Sequence, residues 1–163
     1  MNLLIREHPQ IYGISIMGVL NSWFGLAVNK VYPLIVGIII FCIPLFRLNL
    51  YKHYYYRLMV LSSILIWVVI FNHRAESPSY IIACVGAGIW YLNSPKSVLN
   101  TSLIVLVFIL TTLSATDLFP VYIKENYVKT YTLKAVPIIL VWFKILYDLV
   151  FTNFKTLESS QTK

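Results

Sequence analysis

The segment Asn72-His73-Arg74-Ala75-Glu76-Ser77-Pro78 places an imidazole, a guanidinium and a carboxylate side by side, between two strongly apolar runs that carry no charge. His73 and Arg74 are residue types that bind phosphate, and Glu76 is of the type that orients a hydroxyl. These three are the first substrate-binding candidates. A plainer account competes with that reading: Arg74 and Glu76 are hydrated charges at a hairpin tip, and Ser77-Pro78 opens the next helix.

Two further stretches carry candidate chemistry. In Ser114-Ala115-Thr116-Asp117-Leu118-Phe119-Pro120, Thr116 or Asp117 suits a helix cap, and Asp117 also suits a contact to a sugar. Asp117 lacks the companion carboxylates a divalent ion wants, so no metal is expected. Lys124, Lys129 and Lys134 alternate with Tyr122, Tyr127 and Tyr131, the make-up of an amphipathic surface element that meets anionic headgroups. The sharper version has Lys124 recognise a lipid phosphate. Lys144 and Asp148 lie four residues apart, on one helix face, where mutual neutralisation is the simpler account and a proton relay the less economical one. The sequence holds no phosphate loop, nucleophile elbow or zinc-protease helix. No catalytic residue is assignable from it, and no cofactor is implied.

The elements that hold these residues follow from composition. Apolar residues make up 59% of the 163 and charged ones 12%. Against roughly 25% charged residues in ordinary soluble domains, that balance predicts lipid as the solvent. The net charge of +7 does not point to nucleic acid, because the basic residues lie in short loops rather than on one face. Cys42 and Cys84 fall inside apolar segments without C-x-x-C spacing and are expected to be buried free thiols. No cleavable signal peptide is evident.

Five apolar segments, at 31–46, 58–71, 79–92, 98–114 and 133–151, predict an all-α, multi-pass transmembrane helical bundle of about five to six spans in the plasma (inner) membrane. The aromatic flanks Tyr54 to Tyr56 and Trp90-Tyr91 are expected to lengthen the shorter segments. The piece at 11–28, interrupted by Gly13, Gly18, Asn21 and Gly25, fits an interfacial helix, a re-entrant segment or one more span. The expected organisation is an N-terminal interfacial or partial membrane segment at 1–30, the transmembrane helical bundle at 31–151 and a polar tail at 152–163. Gly86 and Gly88, with Ala83 and Ala87, are expected to permit close helix approach. Arg47, Lys52, His53 and Arg57 crowd the loop between the first two segments. By the positive-inside rule that loop faces the cytoplasm, which leaves the His73 tip and the 115–132 loop together outside.

The stretch Phe71-Asn72-His73-Arg74-Ala75-Glu76-Ser77-Pro78-Ser79-Tyr80-Ile81-Ile82-Ala83, with Gly86 and Ile89-Trp90-Tyr91 after it, is one part of a wider pattern. Leu113-Ser114-Ala115-Thr116-Asp117-Leu118-Phe119-Pro120, Tyr131-Thr132-Leu133-Lys134-Ala135-Val136-Pro137 and Val141-Trp142 complete it. Together they resemble the C-terminal part of the polytopic glycosyltransferases of family 87, also known as the DUF2029 family, over residues 18–149. The resemblance implies part of a GT-C fold and transfer of a hexose, typically mannose, from a polyprenyl-phosphate donor. Family members are much longer, and their presumed catalytic carboxylate lies in an early loop with no counterpart here. The expectation is therefore an incomplete piece of such an enzyme, partnered by membrane lipid, the lipid-linked donor and the missing N-terminal half or a larger membrane protein. The rival expectation is a non-enzymatic integral membrane subunit or transport-associated protein.

Overall fold

The structure, a computed structural model, describes residues 13–25, 29, 31–115, 122 and 131–152. Among them are six α-helices: α1 (Ile16–Phe24), α2 (Val31–Leu45), α3 (Tyr54–Ile70), α4 (Tyr80–Asn93), α5 (Val98–Val107) and α6 (Ala135–Phe151). The helix α5 changes to a π-turn at Phe108–Thr112 and to 3-10 geometry at Leu113–Ala115.

Local chemistry sets the helix ends. Ser15 caps α1, its hydroxyl accepting from the Gly18 amide at 3.3 Å. Gly25 closes that helix in the left-handed region, φ 64°, where glycine has no Cβ to clash. Ser97 caps α5 in the same way as Ser15, accepting from Asn100 N at 3.1 Å. At the end of α6, Arg47 Nη1 donates to the carbonyls of Leu149 and Val150 at 2.8 and 2.7 Å. A guanidinium thus covers acceptors that the helix itself leaves unmatched.

The core forms where α3, α4 and α6 meet, around Ile66, Ile70, Ala83, Ala87, Trp90, Ile138, Trp142 and Ile145. At Gly86, α4 packs closely on α3. A Cβ there would sit 2.9 Å from the Ser62 carbonyl oxygen, and Ser62 Oγ donates to Gly86 O at 2.6 Å. Gly88 instead faces open space, so of the two glycines only Gly86 makes the expected close approach, while Ala83 and Ala87 are buried in the core. Helix α2 rests on the bundle at Gly37, whose missing side chain makes room for the Phe71 ring. Tyr56 closes the other end of α2, donating to Pro44 O at 2.5 Å.

The expectation of a multi-pass transmembrane bundle with five to six spans, and with it the inner-membrane localisation, is corrected. Among the described residues no helix is long and apolar enough to cross a membrane. The longest, α3 and α6, have 17 residues each, a rise of roughly 25 Å at 1.5 Å per residue, short of the roughly 30 Å hydrocarbon layer. Tyr54 to Tyr56 do extend α3 upstream, but the turn that begins at Phe71 ends it. The apolar run at 98–114 loses α-helical geometry at Phe108. The all-α class itself agrees with the described elements. Within the segment at 11–28, the described residues form one short helix, α1. Much of the apolar composition lies outward, at Ile35, Val36, Ile39 and Ile43 on α2, Leu61 and Val68 on α3, and Ile81 and Val85 on α4.

Candidate functional site

Hydrogen bonds from Thr111 to Lys134 and from Lys134 to Ser77 gather the α3–α4 turn, the end of the α5 helical run and the start of α6 at one end of the bundle. The turn is built tightly. Asn72 Oδ1 accepts from Arg74 N at 3.0 Å, Ala75 N donates to Asn72 O at 3.0 Å, and Ser79 N donates to Glu76 O at 3.0 Å. Pro78 sits within a 3-10 turn that leads into α4, as its fixed φ favours.

The N-terminal segment clamps this turn. Ile14 N donates to Ala75 O at 3.1 Å, and the buried Tyr80 hydroxyl donates to Ile14 O at 3.0 Å. Gly13 passes over the turn at φ +54°, and a Cβ on it would lie 2.7 Å from His73 O. Only glycine combines that dihedral with that approach. From the other side, Trp23 Nε1 donates to Tyr131 O at 2.9 Å, holding the turn that precedes α6.

Lys134 is the charged centre of this end. It is 8% exposed, its carbonyl accepts from Thr111 Oγ1 at 3.0 Å, and its ammonium donates to Ser77 Oγ at 3.0 Å. Thr111 thereby ties the α5 run to the start of α6. An ammonium has only donors, so the Ser77 oxygen accepts and its own O–H is left to donate. Ser77 is exposed and Lys134 is buried beneath it. The pair offers polarised donors to an anionic oxygen arriving from outside.

The sequence candidates divide around this centre. Arg74 and Glu76 are exposed on the same turn and His73 is half-buried, and no ion pair joins Arg74 to Glu76 among the described residues. Asp117 and Lys124 lie outside the described residues. Lys134, expected on an amphipathic surface with Lys124 and Lys129, is instead packed against the turn. Ser77, Thr111 and Gly13 were not candidates. The signal for Ser77 and Lys134 lay in the two stretches Asn72 to Pro78 and Tyr131 to Pro137, which the fold joins.

At the middle and far end of α6, Lys144 pairs with Asp148, and Asp148 also accepts from the Trp90 indole at 3.2 Å. This is the mutual neutralisation the spacing suggested, with Trp90 as an added partner. Cys42 and Cys84 are free thiols, as expected, but each is half-buried rather than buried. No group of three or more His, Cys, Asp or Glu side chains suited to a metal occurs among the described residues. Comparison with family models, with curated proteins and with solved structures finds no match.

Proposed function

We propose that this chain is part of a hexosyltransferase, with a polyprenyl-phosphate sugar of the mannose class as donor, and that the Ser77–Lys134 centre holds the donor phosphate. The observation that carries the reading is the 3.0 Å bond from Lys134 Nζ to Ser77 Oγ. It joins two of the stretches on which the resemblance to family 87 rests.

The chemistry gives that centre a task. An acceptor hydroxyl attacks the anomeric carbon, the bond from that carbon to the phosphate oxygen breaks, and the lipid phosphate departs with one more negative charge. Donors fixed beside the phosphate stabilise that developing charge more than they stabilise the bound donor. Lys134 supplies the charge, Ser77 relays it through its hydroxyl, and Arg74 and His73 add donors from the turn. The acceptor proton requires a base, which this reading places on a partner segment and on no residue of this chain.

Ser77→Ala and Arg74→Gln, assayed by calorimetric titration with a short-chain isoprenyl-phosphate mannose, test the proposal. Each is expected to weaken binding about tenfold, the size of one lost charge-assisted hydrogen bond. Unchanged affinity in both variants removes this turn from donor binding.

A second reading, a non-catalytic subunit packed on a larger protein, is favoured by α2. Its outward residues Val31, Tyr32, Ile35, Val36, Ile39 and Ile43 form a largely exposed apolar surface, of the kind that marks interaction sites.

A further inference from the structure

Helix α2 is thinly packed. Of its 15 residues only Gly37 and Pro44 are buried. Its ties to the bundle include the Phe71 ring set against Gly37 and the Tyr56 bond to Pro44 O. The other side of the helix is apolar and uncovered, with Tyr32, Ile35, Val36, Ile38, Ile39 and Ile43 all exposed.

These side chains are spaced as a seam. Tyr32, Val36, Ile39 and Ile43 recur at intervals of four, three and four residues, and Phe46 continues the series three residues on. That alternation keeps one stripe facing a partner helix, and the β-branched residues at its three middle positions suit knobs-into-holes packing. No charge occurs between Val31 and Leu45. Two copies of the stripe therefore meet without like-charge repulsion, whereas a partner selected by charge finds nothing to pair with. The six exposed residues together with Phe46 present roughly 800 Å², the area that each partner buries in an interface of standard size.

We infer that α2 docks on α2 of a second copy of this chain, in an isologous pair centred on Ile39. Ile39 is the middle residue of the series, so it meets its own copy whichever way the partner helix runs. The pairing is independent of the proposed donor site, since no residue is shared. It assigns to a copy of the chain the surface that the second reading assigns to a larger protein.

Sedimentation equilibrium of the purified full chain over a concentration series tests the pairing. A monomer–dimer equilibrium is expected. Ile39→Glu is expected to weaken it at least about thirtyfold, because each pair would then bury two carboxylates at its centre. Val85→Glu, at an exposed position of α4, keeps the wild-type equilibrium. Ile39 is 59% exposed, so the helical circular dichroism of Ile39→Glu should match that of the wild type. Ile39→Cys, combined with Cys42→Ser and Cys84→Ser, supplies a second measurement that needs no buried charge. Mild oxidation with copper phenanthroline should link it into a dimer, while Val85→Cys in the same background stays unlinked. A chain that is monomeric at every concentration, assembly beyond the dimer, an unchanged equilibrium in Ile39→Glu, or no linked dimer from Ile39→Cys overturns the inference.

Discussion

Lys134 Nζ lies 3.0 Å from Ser77 Oγ across 57 residues of chain, which makes one polar centre of two turns that are remote in sequence. The neighbouring contacts all serve that meeting. Gly13 and Ile14 hold the turn carrying Ser77, while Thr111 and Trp23 hold the turn carrying Lys134.

Gly13→Ala is expected to destabilise the chain by about 1–3 kcal/mol, since it adds a Cβ both at a positive φ and against the His73 carbonyl. Thermal melting followed by circular dichroism measures the loss. An unchanged melting temperature would mean that the N-terminal segment does not clamp the turn.

Gly86 and Gly88 are expected to respond with opposite signs. Gly86→Ala drives a Cβ to 2.9 Å from the Ser62 backbone oxygen and should cost about 1–3 kcal/mol as α3 and α4 separate. Gly88→Ala meets nothing within 4 Å and should stabilise α4 by about 0.5–1 kcal/mol. Denaturant titration of both variants checks the pair.

Asp148→Ala leaves the Lys144 ammonium and the Trp90 indole without their shared acceptor. The side chains are 23% and 8% exposed for Lys144 and Asp148, so the loss should fall near 2–3 kcal/mol, about the low end for breaking a buried pair. The double variant K144M/D148A should recover part of it, because no uncompensated charge remains. A double-mutant cycle by denaturant titration reads the coupling.

Burial, with the nearby Tyr51 acting in the same direction, pushes the Tyr56 phenol up to about 12 from its ordinary 10. A group whose folded pKa is raised contributes stability that is whole below its unfolded value and declines as pH climbs to the folded one. Stability should therefore fall between pH 10 and about 12. Tyr56→Phe should flatten that decline while lowering stability at neutral pH through loss of the bond to Pro44. Melting temperatures from pH 7 to 12 separate the two effects.

The helices were legible because their apolar runs are long and their breaks sharp: the Asn72 to Pro78 turn, the start of α5 at Val98 and the start of α6 all lie close to where the sequence places them. Spanning length was not legible. Apolar composition measures what a helix surface prefers to touch, whereas length is decided by where turns such as Phe71 and the π-turn at Phe108 interrupt the backbone. At the site, the sequence singled out the turn by its charges and overlooked Ser77. A serine gains meaning only when a buried lysine arrives from a distant segment. Lys134 was grouped with its neighbouring lysines because one-dimensional spacing carries no sign of which lysine the fold covers.

The central claim is that Lys134 anchors a phosphate through Ser77. Its most direct test is calorimetric titration of the Lys134→Met chain with a short-chain isoprenyl-phosphate mannose, beside the wild type. Methionine keeps much of the buried stem and removes the charge, so the helical circular dichroism should persist. Binding should weaken at least about tenfold. Wild-type affinity in a folded Lys134→Met chain would contradict the account.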